Sequence, residues 1–318
     1  MYRDMEVRNN NIGTAIQYFR ESFHISQSKL CKGICSVSTL SRIEAGERDV
    51  DALILETLLE RLGKVTHHFE LILTDFDYKA YICREEIKKK IKDKDIEKAR
   101  KLIHEYDKLT IGKGSPHRQF IMVNRAYLNE LEGKEPKTTI DLLMEAITCT
   151  VPDFNTNEIR DYYLSVTELN IILEILQRMI ALRMDEKAER ILNQIIGYLY
   201  WHGQMAYDRK IYLKVAVIAG KFFMKHNKID KALEICDITL KMYKGSNKMD
   251  YIGELLYIKA QLLERIYINS SEWEPGRKTE CLKLYLQAYH VFDFCEEKSE
   301  AEEIRNHLLE VYQWEDIG

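Results

Sequence analysis

The residues whose types and spacing suit chemistry lie together between positions 25 and 46, and the chemistry is hydrogen bonding rather than bond-making. The run reads Ile25-Ser26-Gln27-Ser28-Lys29-Leu30-Cys31-Lys32-Gly33-Ile34-Cys35-Ser36-Val37-Ser38-Thr39-Leu40-Ser41-Arg42-Ile43-Glu44-Ala45-Gly46. Ser26 and Ser36 are residues of the N-cap type, each placed before a short amphipathic stretch. After Ser36, Leu40 and Ile43 supply an apolar side. Val37, Ser38, Ser41 and Arg42 supply the opposite face at i, i+1, i+4, i+5 spacing. Short polar side chains and one guanidinium on a single helix face can reach base edges and phosphates in a major groove. Positions 20–42 carry Arg20, Lys29, Lys32 and Arg42 against Glu21 alone, although the whole chain has a net charge of −4. Docking one face on a polyanion requires a local basic patch, not a basic whole.

The remaining chemistry-bearing residues form no comparable constellation. Ile111-Gly112-Lys113-Gly114-Ser115-Pro116 lacks phosphate-loop spacing and a preceding strand, so it reads as a linker. The adjacent His67 and His68 have no partners at metal-ligand spacing. The seven cysteines are irregularly spaced, and the one close pair, Cys31 and Cys35, reads as core packing in a reducing compartment. No nucleophile motif is present. The expectation is therefore a chain that is not an enzyme and needs no cofactor or metal.

The elements that must position the 25–46 run are helices. Four prolines and 14 glycines in 318 residues, with 46% hydrophobic residues, suit long helices with short connections and exclude wholesale disorder. Residues 12–73 read as about five short helices. The third starts at Ser36 and stops at Gly46; the fourth uses Leu55, Leu58, Leu59 and Leu62 and stops at Gly63. From Tyr78 onward the pattern changes to long amphipathic helices with a repeat. Asp95–Leu102, Asp185–Leu192, Ile229–Ile235 and Lys278–Leu284 resemble one another, each with a small residue (Ala99, Ala188, Ala232, Cys281) where a neighbouring helix crosses closely. A weaker copy places Leu142 at the same point. The markers 99, 142, 188, 232 and 281 are 43, 46, 44 and 49 apart, a near-constant step of the kind that builds helical solenoids. Residues 157–182 and 204–225 each read as one long helix, and 297–314 as a capping helix. The expected fold is all-α: an N-terminal helix-turn-helix bundle (1–75) followed by an α-solenoid of tetratricopeptide-like helix pairs (76–318). No apolar run is long enough to span a bilayer and the start lacks a signal-peptide pattern, so the expectation is a cytoplasmic protein with no membrane partner.

The 25–46 run resembles the Xre/Cro/phage-repressor family of helix-turn-helix domains, in the Ser-Gln that opens helix two, the Ser-Thr-Leu-Ser-Arg-Ile-Glu of helix three and the closing Gly. It departs from that family at Cys35, where the turn commonly has Gly, and at Val37, which replaces a usual polar residue. The resemblance implies that Gln27 binds a backbone phosphate, that Ser36 caps helix three, that Val37, Ser38 and Thr39 face the groove, and that Arg42 reads a guanine or clamps a phosphate. Joined to helical repeats, the whole chain resembles the RNPP group of peptide-pheromone receptors. That resemblance implies a homodimer on a pseudo-palindromic double-stranded operator, controlled by a short linear peptide in the repeat groove, in the manner of quorum sensing.

An extended peptide needs side chains that both donate and accept hydrogen bonds. Polar stripes at helical spacing offer them: Thr167, Asn170, Glu174 and Gln177 on 157–182; Tyr207, Lys210, Lys214 and Lys221 on 204–225; Arg118 and Arg125 on 116–131; Glu254, Tyr257 and Gln261 on 249–268. The candidates for peptide contact are Arg125, Asn170, Glu174, Gln177, Lys210, Lys214 and Tyr257. Glu174 among them favours a peptide with a basic group. An alternative function stays open at this level: a protein–protein adaptor whose repeats bind a partner while a vestigial helix-turn-helix has lost its DNA.

Overall fold

The computed structural model describes residues 12–64, 71–72, 74–202, 209–244 and 249–314. Every regular element among them is helical. Four short helices come first: α1 (Ile12–Ser22), α2 (Gln27–Cys31), α3 (Val37–Glu44) and α4 (Ala52–Arg61). The fifth expected near Thr66 lies largely outside the described residues, as do His67 and His68. Eleven longer helices follow: α5 (Asp75–Lys92), α6 (Ile96–Leu109), α7 (Ser115–Leu131), α8 (Pro136–Thr150), α9 (Val166–Ala181), α10 (Asp185–His202), α11 (Arg209–Lys225), α12 (Ile229–Tyr243), α13 (Ile252–Asn269), α14 (Pro275–Phe294) and α15 (Lys298–Tyr312).

The longer helices associate as consecutive pairs, α5 with α6, α7 with α8, α9 with α10, α11 with α12 and α13 with α14, while α15 packs on α14. The turn inside each pair is built alike. The second residue past the first helix is left-handed: Lys94, Gly133, Arg183, Asn227 and Ser271. Its N–H and the next one bond back to carbonyls of the helix they leave, as when Lys94 reaches Ile91 and Asp95 reaches Lys90. This closes the helix end without a continuing turn. The small residues predicted to mark the repeat fall on the second helix of each pair. Ala99, Ala188 and Ala232 are each fourth in their helix and have no exposure. In α8 the fourth residue is Thr139, itself buried, and Leu142 is only half-buried, so the marker for that repeat moves from 142 to 139.

The chain packs as two compact units, Met1–Asp208 and Arg209–Gly318. In the first, Ala80, Ile87, Ala99, Ile103 and Tyr106 form the centre of the leading repeats. In the second, Tyr285, Ala288, Phe292, Ile304 and Leu308 do the same for the closing ones. The expectation of one helix over 157–182 is corrected. Residues 159–161 form a single 3-10 turn, and α9 begins at Val166. Ser165 and Glu168 make a reciprocal capping box that starts the helix there. The Tyr162 hydroxyl donates to the Asp153 carbonyl at 2.6 Å, and the Tyr198 hydroxyl accepts from the Leu164 N–H at 3.0 Å, pinning the preceding loop.

Candidate nucleic-acid interface and the junction behind it

Helix α3 is set at both ends by its own sequence. The Ser36 hydroxyl accepts the Thr39 N–H at 3.0 Å, and Gly46 takes the left-handed conformation past the last turn. Leu40 and Ile43 are buried, whereas Val37, Ser38, Ser41 and Arg42 are exposed, Val37 at 46%. Thr39 is half-buried. Its hydroxyl lies 2.9 Å from that of Ser36, and an Arg48 guanidinium N–H donates to it at 3.4 Å. Ser26 caps α2 in the same manner as Ser36 caps α3.

A buried carboxylate fixes α2 against α3. Glu44 accepts from Arg20 Nε at 2.7 Å and Nη2 at 2.9 Å, and from Gln27 Nε2 at 2.7 Å. Gln27 is thereby held at the start of α2 with one amide hydrogen engaged. The left-handed residue between α2 and α3 is Gly33, at φ +75°, rather than the Cys35 position where the family commonly places its glycine.

Behind this pair of helices, α4 joins the bundle to the first repeats. Arg61, 2% exposed, donates to the carbonyls of Leu30 and Lys32 at 3.0 and 2.7 Å on one side. On the other it donates to the Thr150 carbonyl at 2.9 Å and to both oxygens of the wholly buried Glu168 at 3.2 and 2.6 Å. All five guanidinium hydrogens have a place in this arrangement. Burial pushes the Glu168 carboxyl up, but Arg61 and the Ser165 N–H outweigh it and hold it below the ordinary value. Lys32 pairs with Asp153 at 2.6 Å, and Lys29 lies 5.9 Å above the Tyr163 ring. At the far end of α4, Asp51 caps the helix and accepts from His117 Nε2 at 3.0 Å, while His117 Nδ1 lies 2.6 Å from the Tyr106 hydroxyl. Burial pushes that hydroxyl up to about 12, so it keeps its proton.

The peptide-contact candidates have different surroundings. Asn170 lines a cavity of about 480 Å³ bounded by α4, α5, α7 and α9, together with Asn124 and Tyr127. Arg125, another of the candidates, is exposed outside this cavity and pairs with Asp107 of α6 at 3.0 Å. Its chain neighbour Asn124 takes the inward place because α7 turns 100° per residue. Glu174 is half-buried and accepts from Arg178 at 2.7 Å; Gln177 is exposed. In the second unit, Lys214 is half-buried on α11, and the Tyr257 hydroxyl on α13 donates to Glu303 of α15 at 2.7 Å. The Lys210 side chain and Tyr207 lie outside the described residues.

The residues that sequence reasoning passed over are Arg61 and Glu168. Ser165-Val166-Thr167-Glu168 carries the capping-box pattern, and Arg61 follows Glu60 between the apolar Leu59 and Leu62. Either signal marks a boundary, but nothing links two positions so far apart in the chain.

Residues 16–68 match the helix-turn-helix family model HTH_3. This segment is a helix-turn-helix domain. No curated protein matches the chain. Among solved structures, it is similar to PlcR of Bacillus thuringiensis in complex with the peptide PapR7 and DNA. That match has 18% identity and a TM-score of 0.54, over 92% of this chain and 98% of that one. It is also similar to apo PlcR, with 16% identity and a TM-score of 0.55 over 93% and 98%. Apo ComR from S. thermophilus aligns at 20% identity and a TM-score of 0.45, over 94% and 98%. The PlcR likeness is one of fold: a helix-turn-helix domain continued by tetratricopeptide-like helix pairs, as the sequence predicts. Among the described residues no group of three or more His, Cys, Asp or Glu is placed to hold a metal, and no helix is long and apolar enough to cross a membrane.

Proposed function

We propose that the chain is a cytoplasmic, DNA-binding transcriptional regulator of the quorum-sensing type, with residues 1–75 engaging the operator and 76–318 sensing a short peptide and forming the homodimer. The observation that carries this reading is the exposed Val37–Ser38–Ser41–Arg42 face on a helix capped by Ser36 and braced by Glu44. Similarity in fold to PlcR, solved in complex with a peptide and DNA, supports it. Gln27, Ser36, Val37, Ser38, Thr39 and Arg42 are the proposed DNA contacts. Gln27 keeps a second amide hydrogen for a phosphate while the first holds Glu44.

Arg42→Ala should weaken binding of the full-length protein to its operator by about 1–3 kcal/mol and relax specificity at one position. Gln27→Ala should weaken all duplexes alike. Fluorescence anisotropy across a salt series checks both, since phosphate contacts set the salt slope. Two copies should occupy one operator by light scattering, with half-sites about 34 Å apart or a multiple of it. Binding that is insensitive to salt and unchanged by Arg42→Ala would refute the DNA reading.

The peptide reading rests on the polar stripe of α9. The double substitution of Asn170→Ala and Gln177→Ala is expected to abolish any peptide-induced change in operator affinity while operator binding without peptide persists. A ligand shifts an equilibrium only through unequal affinity for its two states, about 1–3 kcal/mol for an ordinary 5–150-fold effect. Calorimetry showing unaltered peptide affinity in the double variant would remove α9 from the site.

A further inference from the structure

The cavity lined by Asn170 has a wall supplied by the helix-turn-helix domain itself. Glu56 and Glu60, one turn apart on α4, face Tyr81 of α5, Asn124 and Tyr127 of α7, and Asn170 of α9. Its volume, about 480 Å³, is that of a small-ligand pocket. The charges around it are unevenly used. On α5, Lys88 is paired with Glu85 at 2.7 Å, and Arg84 donates to the Tyr106 hydroxyl at 3.4 Å, which is outside the lining. Glu60 accepts the Thr167 backbone N–H at 3.2 Å, a neutral donor. The α4 wall thus presents the Glu60 carboxylate, while Asn124 of α7, whose amide donates to the Phe120 carbonyl at 2.7 Å, and Asn170 of α9 stand on two other walls, amide side chains being both donors and acceptors.

We propose that this cavity takes an alkylammonium or guanidinium group carried by the signalling peptide, with Glu60 as its counter-ion and Glu56 reinforcing it. The proposal rests on the peptide reading above and adds the chemistry of the ligand and the place of its charge. A ligand seated there touches the DNA-binding domain through α4 and the repeats through α5, α7 and α9. It therefore favours the docked arrangement over any in which α4 has moved away. Burial, with the Glu56 and Glu168 carboxylates nearby, pushes Glu60 up to about 7. The counter-ion is consequently charged at pH 8 and largely neutral at pH 6, and cation binding weakens on that descent. The other groups facing it are Arg84, Glu85 and Lys88 on α5, Tyr127 on α7 and Glu168 on α9.

The test uses the full-length protein and three probes in calorimetry. Two are N-acetylated, C-amidated hexapeptide pools, randomised except for one central position fixed as lysine or as norleucine; the third is arginine amide. The lysine pool should bind at least tenfold tighter than the norleucine pool at pH 8, and this preference should shrink severalfold at pH 6. Glu60→Gln, which keeps an acceptor for Thr167, should erase it. Glu56→Gln should reduce it, and together with the pH series keeps the test decisive if the first variant folds poorly. Glu60-dependent binding of arginine amide without binding of either pool would support the cation site and count against the peptide reading. Pools that bind equally, or a preference that survives Glu60→Gln, would overturn the cation site and leave the peptide reading standing. No binding by any probe would overturn it as well.

Discussion

Arg61→Met is expected to destabilise the protein by about 3–5 kcal/mol in urea unfolding. Methionine keeps the bulk but removes every donor, leaving the wholly buried Glu168 carboxylate without its cation and three carbonyls, Leu30, Lys32 and Thr150, without their N–H partners. Glu168→Gln should cost nearly as much, because Arg61 would then be the buried charge without a counter-ion. The pair Arg61→Met with Glu168→Met should recover a large part of the loss, since two apolar groups leave no orphaned charge. The wild-type dependence on pH has a definite sign. The Glu168 carboxyl is held below its ordinary value, so the stability it contributes is present above the unfolded-state value of about 4.5. That stability is lost as pH falls through the lower, folded value. Single substitutions costing under about 1 kcal/mol would show that the junction is not held this way.

Gly33→Ala should cost about 2–4 kcal/mol, from two sources that act together. The residue sits at φ +75°, where a side chain adds about 1 kcal/mol or more. A methyl group there would also lie 2.0 Å from the Thr150 carbonyl oxygen and 2.6 Å from the Pro152 ring, so the turn between α2 and α3 would have to lift from the repeats. Gly133→Ala supplies the comparison. It has φ +70° but open space around the added carbon, and should show the conformational cost alone. Thermal unfolding of the two variants side by side separates the terms; equal losses would mean that the close approach at Gly33 relaxes freely.

Much of the helix-turn-helix was legible because its signals are local. Ser26 and Ser36 cap the helices that they were expected to cap, and Leu40 and Ile43 point inward as their spacing requires. The alanines at 99, 188 and 232 marked the second helix of three of the five pairs, where a small side chain fits beneath a crossing helix. What the sequence hid depends on distance along the chain or on a few degrees of rotation. The stripe through Arg125 runs beside the face of α7 that lines the cavity, and Asn124 stands on that face instead. The loop before α9 was read as part of one long helix, yet the Ser165–Glu168 capping box starts α9 at Val166 and the Tyr162 and Tyr198 hydroxyls pin the chain before it. The acidic wall of the cavity belongs to α4, a helix read as part of the DNA-binding bundle, and its placement against α9 is fixed by contacts that no local pattern encodes.

Glu168 has two duties at one pair of oxygen atoms. It accepts the Ser165 N–H at 2.7 Å to start α9, and it receives the Arg61 guanidinium that carries the helix-turn-helix domain. Thr167 adds a third thread, its N–H bonding to Glu60. Undocking the domain and fraying the first turn of α9 are therefore one event rather than two. Amide hydrogens at Ser165, Thr167 and Glu168 exchange with deuterium only when that event occurs, so their protection reads the docking equilibrium directly in the unlabelled, unmutated protein. The same three amides, followed in the presence of operator duplex, report whether gripping DNA tightens or loosens the grip of the repeats.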